Sequence, residues 1–153
     1  GCFETYASID SIASKIRHIY PNIEEKIKQY TINDNFYQKA WNATPELLAI
    51  RDCYNDLQSD QNILNYFDRL IEAIAVALYN FIYLTNPEKV FYAGRTVEQL
   101  DVIFNEAISK TKAEYLPETF EEVDFIKSNI NSGLLYKGAS FLVFNNYLQI
   151  VQV

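Results

Sequence analysis

The sequence has no methionine, one tryptophan, one histidine, two cysteines, four glycines and four prolines in 153 residues. So few glycines and prolines leave little turn chemistry for a many-stranded β-sandwich, and long helices with few breaks are the alternative. Cys2 and Cys53 lie far apart and make no disulfide framework, so a reducing cytoplasm is the expected compartment. The single histidine, His18, stands between Arg17 and Ile19. Catalysis needs converging groups, and nothing in the sequence supplies partners for it, so it reads as a partly exposed helix residue. Basic residues are also short: 13 Lys and Arg against 20 Asp and Glu give a net charge of −7. Without a basic stripe to neutralise phosphates, this segment alone is not expected to contact DNA. The most apolar run, "LIEAIAVALYNFIYL" at 70–84, is too short to span a bilayer and begins among Asp68, Arg69 and Glu72. It reads as a buried helix. No secretory signal is visible, and the sequon Asn42-Ala43-Thr44 has nothing beside it that points to secretion.

What remains is apolar and aromatic. Hydrophobic residues make up 49% of the chain, with 12 tyrosines and 10 phenylalanines, enough for a real core in a single domain. Ser8 can cap a first helix in which Ile9, Ile12, Ala13 and Ile16 repeat at helical spacing. A second helix follows "YPNIEE" and runs to about Tyr30, and "TINDNFYQKAWNA" is expected to add a short one. Thr44-Pro45 is a helix start, a cap residue followed by proline at the first helical position. That helix should hold Leu47, Leu48, Ile50, Cys53, Tyr54 and Leu57, with Cys53 as a small core residue. The longest helix should run from Ser59 or Asp60 to near Thr85, with an apolar stripe from Ile63 and Phe67 to Leu78 and Phe81. Its apolar C-terminal half is expected to be central.

"VFYAG" after Pro87 reads as a short buried strand, and Thr96 as the start of a helix to about Tyr115. "EEVDFIKSNI" at 121–130 reads as a second strand, and "LLYKGASFLVFNNYLQ" as a closing helix. Two strands joined by a helix imply a parallel pair. The expected class is therefore α/β and predominantly helical, with a sheet so small that missing chain or another molecule should complete it.

No nucleophile, metalloprotease, P-loop or dinucleotide motif is present. Glu24-Glu25 and Glu121-Glu122 read as solvated faces. One segment has phosphate-loop geometry: "NPEKVFYAGRTVEQL" puts Gly94 after a strand and before a helix N-terminus. A lone glycine is weak evidence for such a loop, and a tight turn that needs positive φ is the favoured reading.

Taken in order, three segments resemble the ROK family (repressors, open reading frames and sugar kinases). "GCFETYAS" resembles the end of its signature Cys-x-Cys-Gly-x-x-Gly-Cys-x-Glu, with Gly1, Cys2 and Glu4 in matching positions. "NPEKVFYAG" resembles the turn Asn-Pro-Glu-x-Ile-x-x-Gly-Gly-Gly. "GLLYKGASFLVFNNYL" resembles the closing Gly-x-x-Gly-Ala helix, with an extra residue between Leu134 and Gly138. Residues 20–58 match only as generic helices.

The resemblance implies that residues 1–153 are a single partial domain, the C-terminal part of a longer chain with an actin-like ATPase fold of the ribonuclease H and hexokinase type. It implies that Glu4 contacts sugar hydroxyls; a carboxylate accepts from two hydroxyls at once. An acid near a helix N-terminus is the plainer alternative. It matches Cys2 to the family's last zinc cysteine. A tetrahedral zinc site needs about four ligands, so zinc would belong to the full-length protein, with the remaining ligands upstream, and none is expected in this piece. Where the kinases keep three glycines, this chain has Ala93, Gly94 and Arg95, the remnant of a nucleotide loop; Arg95 could pair with a phosphate.

The expected function is the effector-sensing and dimerising part of a sugar-responsive repressor, with DNA bound through an N-terminal domain outside this sequence. The alternative is part of an ATP-dependent sugar kinase, and a third reading is an independent helical interaction module. A homodimer, a sugar effector, no membrane attachment and weak sugar binding by this segment alone complete the expectations.

Overall fold

A computed structural model describes residues 7–32, 44–57, 59–115 and 123–128, together with Lys137, Ser140, Phe141, Val143 and Phe144. The elements are α1 (Ile9–Ile19), α2 (Ile23–Ile32), α3 (Pro45–Asp56), α4 (Gln61–Thr85), β1 (Lys89–Tyr92), α5 (Arg95–Gln99), α6 (Asp101–Lys110), a π-helical turn (Thr111–Tyr115) and β2 (Asp124–Lys127). The described residues are mostly helical, with one small parallel pair of strands.

Helix starts are set by side-chain caps that satisfy the free N–H groups of the first turn. Ser8 accepts from the Ser11 N–H at 3.2 Å. Thr44 accepts from the Leu47 N–H at 3.3 Å, with Pro45 beginning α3. Asp60 accepts from Asn62 at 2.9 Å and Ile63 at 3.4 Å, and so starts α4. At the other end Asn86 adopts the left-handed conformation, φ 42 and ψ 56, while its N–H donates to the Ile82 carbonyl. Asparagine tolerates that region better than other side chains. Asn86→Ala is therefore expected to destabilise the fold by roughly 1 kcal/mol, read as a lower urea midpoint with an unchanged slope.

The main core forms where α3 packs against α1, α2 and α4, and α6 lies along α4. It contains Ile12, Ile16, Ile23, Leu47, Ile50, Cys53, Ile63, Phe67, Ile74 and Ile103. Phe67 is 1% exposed and is held edge-on by Tyr54, 4.9 Å between centroids, and by Tyr66 at 5.5 Å. A second, smaller cluster of Ile82, Val90 and Val123 fixes the strands to the end of α4. In the sheet Lys89 pairs with Asp124 and Tyr92 with Lys127, in parallel register.

Three expectations need correction. The C-terminal half of α4 is not central: Phe81 is 49% exposed, Tyr83 67% and Leu84 81%. The main core takes the α4 face that carries Leu70, Ile71, Ile74 and Ala75, while Ile82 and the half-buried Tyr79 hold the strands, so apolar residues on the other side of the last turns face outward. Phe91 on β1 is likewise 66% exposed, because alternation along the strand buries Val90 instead. The helix expected from Thr96 to Tyr115 begins at Arg95, breaks at Leu100 and ends in the π-helical turn. At the break Leu100 has φ −118 and is buried, which lets both α5 and α6 lie against the core. At the turn the buried Thr111 hydroxyl lies 2.7 Å from the Ala107 carbonyl and 3.3 Å from that of Ala75, linking α6 to the α4 backbone. The short helix expected around Phe36 and Trp41 falls outside the described residues, and so does most of the closing helix. Among the described residues no helix is long and apolar enough to cross a membrane.

Candidate functional site

The glycine turn sits at the C-terminal end of β1. Gly94 has φ 135 and ψ 167 and caps α5 without a side-chain hydrogen bond. A Cβ built there would meet nothing within 4 Å, so the backbone conformation, not crowding, is what requires glycine. That favours the tight-turn reading of this residue. Ala93 is half-buried and Arg95 is exposed with no bond or ion pair among the described residues. The helix that follows has only five residues, so few aligned peptide dipoles stand behind the turn. The Arg51 guanidinium donates to Gln99 Oε1 at 3.3 Å and ties the end of α5 to α3. This arrangement fixes a turn beside the sheet and leaves one cation at its rim. It does not assemble a loop of bare backbone amides.

Cys2 and Glu4, the zinc and sugar positions implied by the family resemblance, lie outside the described residues. Among the described residues no three His, Cys, Asp or Glu side chains converge on a metal position. One cysteine does not fit a tetrahedral zinc, which needs about four ligands.

Titratable groups on the inner faces of α2 and α3 act structurally. Tyr30 donates to Asp52, and burial first, then that hydrogen bond, pushes its phenol up. The Lys26 ammonium bonds Asp56 Oδ2 at 2.6 Å, which holds it above its usual range. Cys53 is fully buried, and burial pushes its thiol from 9.0 to about 11, the opposite of an activated nucleophile.

His18 lies along a groove between α1 and α4 with Lys15, Asn62, Asn65 and Arg69 beside it. Nothing in the linear sequence connects these residues; the only signal is polar side chains at spacings of three and four on each helix.

Comparison with protein-family models, with curated proteins and with solved structures returns no match.

Proposed function

We propose that this chain is the effector-sensing and dimerising part of a sugar-responsive repressor of the ROK type, within an actin-like fold of the ribonuclease H and hexokinase class. The observation that carries the proposal is the sequence of elements through the second motif. A long helix stops on Asn86-Pro87-Glu88, a strand leads to a glycine turn, a helical segment follows, and the next strand pairs in parallel with the first. That order of helix, turn, strand, glycine turn and helix is compatible with the proposed fold. Ala93 and Arg95 on either side of Gly94 favour the repressor over the kinase, since side chains stand where nucleotide would need bare backbone. In mechanism, sugar bound between lobes of the full-length protein shifts the population of lobe and dimer arrangements and with it the affinity for DNA.

The test is the full-length protein on operator DNA, by fluorescence anisotropy across a panel of pentoses and hexoses. One sugar is expected to shift DNA affinity by about 5- to 150-fold, the usual range of coupling. ATP-dependent phosphorylation of a sugar by the same preparation would establish the kinase instead.

Dimerisation is assigned to the apolar surface at the end of α4 and β1. Phe81, Leu84 and Phe91 are all at least 49% exposed, and among the described residues each strand pairs only with the other. Burying such a surface in a twofold contact is the simplest way to remove it from water. Leu84→Glu together with Phe91→Glu is expected to convert a dimer into a monomer in sedimentation equilibrium. An unchanged mass in that variant would place the contact elsewhere.

A further inference from the structure

The groove between α1 and the N-terminal half of α4 is a cavity of about 860 Å³. Lys15 and His18 line it from α1, and Asn62, Asn65, Tyr66 and Arg69 from α4. Spacings of three and four residues put each set on one helical face. The chain carries a net charge of −7, yet no Asp or Glu is among the described residues that line the groove. Arg17, Lys26, Arg51, Lys110 and Lys127 each have a carboxylate partner, while Lys28, Lys89, Arg95, Lys112 and Lys137 stand singly on the surface without one among the described residues. Lys15 and Arg69 have none among the described residues. Two permanent positive charges thus face one cavity with no counter-charge among the described residues of its wall.

We propose that this groove binds a small organic molecule bearing a phosphate monoester. The planar guanidinium of Arg69 and the ammonium of Lys15 suit a compact anion with several acceptor oxygens. The carboxamides of Asn62 and Asn65 both donate and accept, so they recognise a hydroxyl- or amide-bearing body. Asn65 Oδ1 accepts from Gln61 Nε2 at 2.9 Å, which fixes its orientation and leaves its N–H groups as donors. Tyr66, half-buried and packed against Phe67, adds a rigid apolar wall, and the buried Leu70 floors the cavity. The volume is in the range of small-molecule pockets and exceeds what inorganic phosphate alone would fill. The proposal does not depend on the repressor reading, and its failure would leave that reading intact.

The experiment is calorimetric titration of the full chain with a hexose 6-phosphate, adenosine monophosphate, inorganic phosphate and the unphosphorylated hexose. One of the two organic phosphates is expected to bind about tenfold or more tightly than either inorganic phosphate or the free hexose. The tighter of the two tells a sugar body from a nucleoside body. Lys15→Ala with Arg69→Ala should weaken that binding by roughly a hundredfold, and Asn62→Asp by about tenfold through its added negative charge. Lys15, Asn62 and Arg69 are exposed, so these variants should keep the wild-type circular dichroism and thermal midpoint. No binding of either organic phosphate at millimolar concentration would overturn the proposal, as would unchanged affinity in the folded double variant. Equal binding of inorganic phosphate would overturn recognition of an organic body, and equal binding of the free hexose would overturn recognition of phosphate.

Discussion

Phe67→Ala is expected to cost about 3–5 kcal/mol, a large part of the ~5–15 kcal/mol available to a domain of ordinary stability. The ring is 1% exposed and sits where α3 and α4 meet, with Tyr54 and Tyr66 meeting it edge-on. Truncation removes the apolar area and both aromatic contacts, and it opens a cavity that the surrounding helices can only partly close. Tyr54 is also anchored from outside, since its hydroxyl donates to Glu106 Oε1 at 3.0 Å, so its ring is not free to swing into the space. Chemical denaturation followed by circular dichroism measures the loss. A change under about 1 kcal/mol would mean the site collapses freely and the helices are not fixed as described.

Alkaline pH should destabilise the protein more steeply than its exposed groups alone would cause. Burial pushes the Cys53 thiol from 9.0 to about 11, and it pushes the Tyr54 and Tyr66 phenols from 10.0 to about 12. For Tyr54 the hydrogen bond to Glu106 acts in the same direction. In each case the unfolded group ionises first. Above about pH 9 the unfolded state therefore holds fewer protons than the folded one, and unfolding becomes easier as pH rises. The stability these neutral groups contribute is complete below pH 9 and is lost as pH climbs through the folded-state values. Full loss at Cys53 alone is on the order of 2–3 kcal/mol. Urea midpoints measured from pH 8 to 11 should fall progressively from pH 9 upward. Tyr66→Phe should flatten the part of that decline above pH 10, because it removes one titrating group whose shift comes from burial alone. A midpoint independent of pH over this range would show that the thiol and phenols are hydrated in the folded state.

Helix starts were legible because their chemistry is local. Ser8, Thr44-Pro45 and Asp60 each bond an amide two or three residues away, so a short window of sequence contains the whole cause. The parallel pairing of the strands followed from chain order, since a helical segment separates them. The break at Leu100 was not legible: Gln99-Leu100-Asp101 contains neither glycine nor proline, and the interruption comes from seating Leu100 in the core. Exposure at the end of α4 was hidden for a related reason. Periodicity shows which residues are apolar, but which face finds a partner is decided by elements far away in the chain. The groove is the extreme case, because Lys15 and Arg69 share a wall only after α1 and α4 have docked. Glu4 and Cys2 carry expectations that rest on resemblance, while Gly94 carries one that rests on its backbone conformation.

The register that sets Lys89 against Asp124 has a kinetic meaning. Neighbouring helices such as α1 and α2 are joined by three residues, 20–22, whereas the two strands must hold the ends of a long intervening segment together before any ladder bond forms. Among the described residues their pairing is supported by the small cluster of Ile82, Val90 and Val123 with Tyr79 and Phe125, by Lys127 against Asp101 at 3.6 Å and by Lys112 over the Phe125 ring at 5.2 Å. The sheet should therefore form last and open first, with its ladder amides exchanging with deuterium well before the amides around Phe67. The chain then behaves as a durable helical body carrying a latch that a partner strand could hold shut.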